Sequence, residues 1–244
     1  MKFTAHYKIN WHDTDANRRL RPSRWIVYMQ ETADAHLRAF GTSLDDMRDR
    51  QGLAFLLSRI TVRIYEQLHV GDEIDVITWV CEGHGLSFDR CFTVVKDGKT
   101  VGEAFSVWGL MSLKQKRLLR TSEFSYGFPP DEAPDKALTS RVRYPQIDCM
   151  ECVGERKIVY SDIDYNGHMN NTHYPDMLCD FTPDILSKQV TGLALSFLHE
   201  AAFGHTLRVY RSKREDGCCF RTLDEDGNCC LEALLLTEST PMIE

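Results

Sequence analysis

The sequence predicts an α+β protein made of two similar halves, each with a helix set against an antiparallel sheet. Three observations carry this: one pattern occurs twice, the hydrophobic period switches from helical to strand-like, and a proline-rich acidic segment divides the chain. The pattern reads His12-Asp13-Thr14-Asp15-Ala16-Asn17-Arg18-Arg19-Leu20, and later Ser161-Asp162-Ile163-Asp164-Tyr165-Asn166-Gly167-His168-Met169. One offset of 149 residues pairs Asp13 with Asp162, Asp15 with Asp164, Asn17 with Asn166 and Arg19 with His168. Self-similarity at long range marks two copies of one structural unit. At the Arg19/His168 position only the second copy carries a group that exchanges protons near neutral pH, since histidine titrates around ~6.5 and arginine does not.

In the first half, Ile26, Met29, Ala33, Leu37 and Phe40 fall on one face of a helix that starts at Pro22 and stops at Gly41. Ser43 caps a shorter helix to about Arg50, closed by Gly52. The period then becomes two. Ile60, Val62 and Ile64 alternate with Thr61, Arg63 and Tyr65, and Ile74 and Val76 continue the strand pattern. A strand over Phe88–Val95, an Asp97-Gly98 turn and a strand from Val101 to about Leu113 form a hairpin. Gly127 to Asp135 is rich in proline and acid and has no period, so residues 131–148 are the expected linker between units at 1–130 and 149–244. The second unit repeats the order: a strand near Lys157–Tyr160, the pattern, a helix interrupted by Pro175 and Pro183, then strands separated at Asp216-Gly217 and Asp226-Gly227.

Composition narrows the function. A chain of 244 residues with 43% hydrophobic content is long enough for two ordinary cores. No apolar run approaches the ~20 residues of a membrane span, and the start lacks an apolar signal core, so a cytoplasmic protein is expected. The net charge of −7 argues against generic nucleic-acid binding. Nine cysteines, an odd number with a single CxxC at Cys149 and Cys152, read as reduced thiols rather than as a zinc site. Neither metal nor cofactor is expected.

The residues Asp162 to Tyr174, Asp-x-Asp-x-Asn-x-His-Met-Asn-Asn-x-x-Tyr in outline, resemble the signature of the acyl-[acyl carrier protein] thioesterases. The resemblance extends to Asp13-Thr14-Asp15-Ala16-Asn17, to Gln30-Glu31-Thr32-Ala33 with His36, and to Ser106-Val107-Trp108 before a basic stretch, and so covers most of the chain. It implies two tandem hotdog domains, each an antiparallel sheet wrapped around a helix. It also implies release of fatty acids from acyl carrier protein, with catalysis in the second domain by Asp164, Asn166, His168 and a later glutamate. Glu200, four residues before Gly204, fits that place, and the first half has Gln67 four residues before Gly71. Many family members carry a cysteine after this glutamate, where this chain has Ala201, so a thiol nucleophile at that position is excluded.

By the same resemblance the acyl chain lies in the first domain against its helix, whose apolar face of Ile26, Met29, Ala33 and Leu37 is the expected lining. The unpaired N–H groups at the second helix start, near Asn170 and Asn171, are expected to meet the substrate carbonyl. Two basic runs are candidates for docking an acidic carrier protein: Lys114, Lys116, Arg117 and Arg120, and Arg18, Arg19, Arg21 and Arg24. Blander readings exist for each. An isolated Asp-x-Asp-x-Asn is ordinarily a turn, the helix face is ordinarily core, and a basic run is ordinarily solvated. A hotdog dehydratase, an acyl-coenzyme A thioesterase and a non-enzymatic acyl-binding protein are the alternative functions, and a homodimer is left open.

Overall fold

The computed structural model describes residues 1–132 and 135–240; linker residues 133–134 lie outside them. The first half runs β1 (Phe3–Lys8), α1 (Pro22–Ala39), α2 (Leu44–Asp46) continuing into a π-helical turn at Met47–Gln51, then β2 (Leu53–Ile64), β3 (Glu73–Val80), β4 (Phe88–Lys96), β5 (Lys99–Ser112) and the short β6 (Arg117–Leu119). A short α3 (Lys136–Thr139) lies in the expected linker. The second half follows with β7 (Glu151–Lys157), α4 (Tyr174–Asp180), β8 (Lys188–Phe197), β9 (Thr206–Arg214), β10 (Gly217–Leu223) and β11 (Cys229–Ser239).

All strands join one antiparallel sheet in the order β1-β3-β4-β5-β2-β8-β11-β10-β9-β7, with β6 attached to β5. Read outward from the middle, β2-β5-β4-β3-β1 on one side mirrors β8-β11-β10-β9-β7 on the other, so the two halves are hotdog domains with the same internal order. They meet where β2 pairs with β8, from Arg59 opposite Ser196 to Arg63 opposite Gly192. Among the described residues no helix is long and apolar enough to cross a membrane.

Each element has a local cause. Proline in the first turn of α1 costs no hydrogen bond, and Gly41 at φ 83° ends the helix in a conformation that side chains resist. The face carrying Trp25, Ile26, Met29 and Leu37 is buried. Its indole fits because β5 has Gly102 beneath it: a Cβ there would stand 2.5 Å from the Trp25 ring. The β4–β5 hairpin turns at Asp97 (φ 50°) and Gly98 (φ 74°), the backbone that an Asp-Gly pair favours. Ser43 caps α2 by accepting from the Asp46 N–H.

Two expectations shift in the second half. The strand expected at Lys157–Tyr160 lies earlier, at Glu151–Lys157, and Tyr160–Asp162 is a single 3-10 turn held by the Asp162 carboxylate, which accepts from the Val159 N–H. This edge strand is mostly polar, so it offers no alternation to read. Pro175 sits in the first turn of α4 and starts the helix rather than breaking it; the helix is short, and Pro183 follows its end.

Asp13 ties the first pattern to α1. Its carboxylate, 1% exposed, accepts from the Tyr28 hydroxyl at 2.8 Å, from Arg24 Nε at 2.7 Å and from the Asn10 N–H at 3.3 Å. Burial alone would raise its pKa, but the bonds from Tyr28, Arg24 and Asn10 outweigh this and hold it below the usual range. A depressed folded-state pKa contributes stability that is complete above the unfolded value near ~4 and is lost as pH falls through the folded one. Asp13→Asn is therefore expected to cost about 2 kcal/mol at neutral pH, with the gap to wild type narrowing in acid. Urea melts at neutral pH and near pH ~3 check this, and a gap that stays constant would contradict it.

Candidate active site

The second pattern folds as a tight loop closed on its own backbone. Asp164 N–H donates to the His168 carbonyl at 3.1 Å, and Gly167 N–H donates to the Asp164 carbonyl at 3.0 Å. The Asp164 carboxylate accepts from Asn166 N–H at 2.8 Å and from Asn166 Nδ2 at 3.3 Å, the local turn that Asp and Asn favour. Asp164 thus organises the loop, and the bonds its carboxylate makes among the described residues go to Asn166 rather than to His168.

A second segment is laced to this loop. Met169 N–H donates to the Ala201 carbonyl at 2.8 Å, Phe203 N–H to the Gly167 carbonyl at 3.4 Å, and His168 forms a β-bridge with Ala202. Gly204 (φ 85°) turns the segment back to Ile158, whose carbonyl accepts its N–H at 3.0 Å. The lacing sets His168 Nε2 3.5 Å from Glu200 Oε1, with the imidazole 24% and the carboxylate 71% exposed. Glu200 stands in the loop after β8, three residues past the strand, whereas the family resemblance implies a glutamate on a strand entering the turn.

The first half repeats this construction in its backbone bonds, while the Asn17 side-chain amide donates to the Leu186 carbonyl instead. Asp15 N–H donates to the Arg19 carbonyl, Asn17 N–H to the Asp15 carboxylate, Leu20 N–H to the Leu68 carbonyl at 2.7 Å and Val70 N–H to the Arg18 carbonyl at 3.3 Å. Arg19 bridges His69 as His168 bridges Ala202. Gln67 is therefore the spatial counterpart of Glu200. Its amide donates to the Val190 carbonyl at 2.8 Å, and the buried Arg19 guanidinium is spent on Asp15 and on Thr240 Oγ1 at 3.0 Å. Here the polar groups bind protein, whereas in the second half they face open space.

That space is a cavity of about 850 Å³ between the halves. The second half lines it with Asp164, Asn166, His168, Asn170, Asn171, Tyr174, His199, Glu200 and Ala201. The first half lines it with Ala33 and Leu37 of α1, Met47, Leu53, Phe55, Trp108 and Tyr126. Of the four expected acyl-chain residues, Ala33 and Leu37 line the cavity. Ile26 and Met29 are not in its wall; both are fully buried in the main core. Asn170 and Asn171 stand at the turn before α4, where Asn170 Oδ1 caps the turn by accepting from Thr172 N–H at 2.9 Å.

The basic runs differ from each other. Lys114, Lys116, Arg117 and Arg120 are exposed around the β5–β6 turn, beside Leu113 of the cavity wall, although Arg117 is held by Glu123 at 2.6 Å. In the other run Arg19 pairs with Asp15, Arg21 donates to the Thr14 carbonyl and Arg24 pairs with Asp13, leaving Arg18 as the exposed member without such a role. Among the described residues no group of three or more His, Cys, Asp or Glu side chains is arranged to hold a metal ion.

One contributor gave no sequence signal. Arg48, in the π-helical turn of the first half, donates from Nη1 to Asn166 Oδ1 and lays its guanidinium over the Tyr165 ring, 4.9 Å from the centroid. It joins the chemistry-bearing loop to the opposite half across a separation that no spacing rule spans.

Comparison with known proteins agrees with this construction. The sequence model of the acyl-ACP thioesterase N-terminal domain matches residues 1–125, and that of the C-terminal domain matches residues 137–229. Among curated relatives, an acyl-[acyl-carrier-protein] hydrolase of Cuphea viscosissima is 24% identical over 219 residues, covering 81% of this chain and 52% of the relative. A palmitoyl-acyl carrier protein thioesterase of Arabidopsis thaliana is 23% identical, covering 99% of this chain and 62% of the relative. The chain thus spans about half the length of the first of these relatives. Among solved structures, an acyl-ACP thioesterase from Bacteroides thetaiotaomicron superposes with a TM-score of 0.87 at 22% identity, covering 97% of this chain and 98% of that one. A 12:0-ACP thioesterase from Umbellularia californica gives 0.84 at 18% identity, with 98% of each covered. With both of its domains matched in order, the chain belongs to the acyl-ACP thioesterase family.

Proposed function

We propose that the chain hydrolyses fatty acyl-[acyl carrier protein] thioesters. One observation carries the reading: an acid–base pair from the second half, His168 with Glu200, opens onto a cavity whose apolar wall comes from the first half. The acyl chain lies against Ala33, Leu37 and the aromatic wall, and the thioester carbonyl stands at the pair. Glu200, assisted by His168, takes a proton from water as it attacks the carbonyl carbon, and the proton passes to the departing thiolate. The products are a free fatty acid and the carrier thiol.

Asn166 supports this role. Its oxygen accepts from Arg48 and one amide N–H donates to Asp164, which leaves the second amide N–H for substrate or water. The Asn171 N–H, at the first position of the turn, polarises the carbonyl oxygen. The domain division at 131–148 is supported by the sheet order, in which β6 completes the first half and β7 opens the second. The reading carries a role in ending chain elongation during fatty-acid synthesis, in the cytoplasm.

Glu200→Gln and His168→Ala are expected to lower turnover by roughly 10²–10⁴ with little change in KM, the usual scale for a positioned acid or base. Free-thiol release from matched acyl-carrier and acyl-coenzyme A substrates reads both the roles and the carrier. Near-wild-type turnover in both variants would defeat the site assignment, and equal efficiency on coenzyme A esters would defeat the carrier assignment.

Docking is assigned to the β5–β6 turn, because it adjoins the cavity and its lysines are exposed. Reversing Lys114, Lys116 and Arg120 to glutamate is expected to raise KM for carrier-bound substrate while leaving kcat nearly intact. The effect shrinks as salt screens the charges. A KM that does not move places docking on another surface.

A further inference from the structure

The cavity contains a charge that the hydrolysis described above does not use. Arg90 of β4 lines it yet is only 5% exposed, whereas Glu200 is mostly exposed, so the guanidinium lies deep and the carboxylate at the mouth. The bonds Arg90 makes among the described residues go to neutral groups. Nη1 meets His36 Nδ1 and Thr78 Oγ1, each at 3.1 Å.

His36 is no counter-ion. Burial first, and then the adjacent Arg90, lower its pKa to about 4, so it is neutral at physiological pH. Its sequence neighbour Asp89, on the opposite face of β4, accepts from Ser87 Oγ at 2.8 Å, and Asp34 of the cavity wall pairs with Arg38 at 2.6 Å. Among the described residues Arg90 forms no ion pair. Arginine stays protonated in a protein interior, and an unpaired buried cation is strongly unfavourable unless something neutralises it. Tyr126 stands on the same wall; burial raises its pKa, so its hydroxyl remains a donor.

A plain hydrocarbon tail leaves this cation unanswered. A carboxylate offers the planar, bidentate acceptor that a guanidinium matches best. We propose that the cavity binds acyl chains whose far end carries a carboxylate, held by Arg90 with Tyr126, so that the substrates are ω-carboxyacyl thioesters. This inference rests on the assignment of the cavity to the acyl chain, and it adds a specificity-determining residue at the far end.

The test compares two ligands of equal medium chain length: the methyl ester of a monocarboxylic acid and the monomethyl ester of the dicarboxylic acid. In both, the ester stands in for the thioester. Displacement of a fluorescent fatty acid from the full chain reads affinity. Wild type is expected to bind the carboxylate-ended ligand at least about tenfold more tightly. Arg90→Met is expected to lose the preference while still binding the plain ester, and Arg90→Lys, which keeps charge without the fork, to retain part of it.

Equal affinity of the wild type for the two ligands overturns the proposal, and so does a preference that survives Arg90→Met. The wild-type comparison decides the matter even where a variant does not fold. Thiol release from both unsubstituted and ω-carboxyacyl carrier substrates, measured alongside, separates the two readings. Release without ligand preference overturns the Arg90 site alone, and preference without release overturns the hydrolase reading alone.

Discussion

The pairing of β2 with β8 is the constraint on which the rest of this molecule depends. Each hotdog half has its own helix and its own patterned loop, but neither half contains a site. The antiparallel register from Arg59–Ser196 to Arg63–Gly192 fuses the two sheets and fixes how one half faces the other. Only then does α1 of the first half stand across from His168 and Glu200 of the second, with Ser23 of α1 bonded to Asp176 of α4 at 2.8 Å. A sheet ladder suits this task because its register is set by many backbone bonds at once, and a slip of one residue would turn every side chain to the wrong face.

Such a junction generates two equivalent places, one at each patterned loop, and the protein has treated them differently. At the first loop Arg19 lies where His168 lies at the second, and Gln67 where Glu200 lies. These substitutions do more than remove titratable groups. Arg19 spans from Asp15 to Thr240 near the end of β11, and Gln67 reaches the backbone of β8, so the first place stitches the halves together. The backbone bonds around it are unchanged, which is why the two loops still superimpose in their hydrogen-bond pattern.

Much of this was legible in the sequence. The offset between the two patterns anticipated the mirrored sheet order, because a duplicated unit keeps its loop chemistry even when its side chains change function. The pairing of Gln67 with Glu200 was readable from their distances to Gly71 and Gly204, which take the same left-handed backbone in both halves. What stayed illegible followed from long-range geometry. Helical period identifies the buried face of α1, but Ile26 and Met29 pack into the core and Ala33 and Leu37 reach the cavity, and period cannot separate these. Arg48 and Arg90 carry no motif; each acquires meaning from a partner or a void that only the assembled fold creates. The run at Arg18–Arg24 read as a surface patch because composition does not reveal that Asp13 and Asp15 already claim its charges.

The chemistry at the mouth is narrowed further by what surrounds it. Ala201 occupies the position after Glu200, and its carbonyl is committed to Met169. Among the described residues no cysteine lines the cavity, and the thiols nearby are poor candidates to enter it. Burial pushes Cys230 up to about 12, with Asp224 adding to the shift, and burial likewise raises Cys179 of α4. A thiol held protonated is a weak nucleophile, since the thiolate is the reactive form. Under the proposed hydrolysis, oxygen is therefore the attacking atom, supplied by water or by Glu200 itself. The exposure of Glu200 favours water: a carboxylate open to solvent at the rim has a water molecule at hand, and His168 at 3.5 Å stands close enough to help direct it.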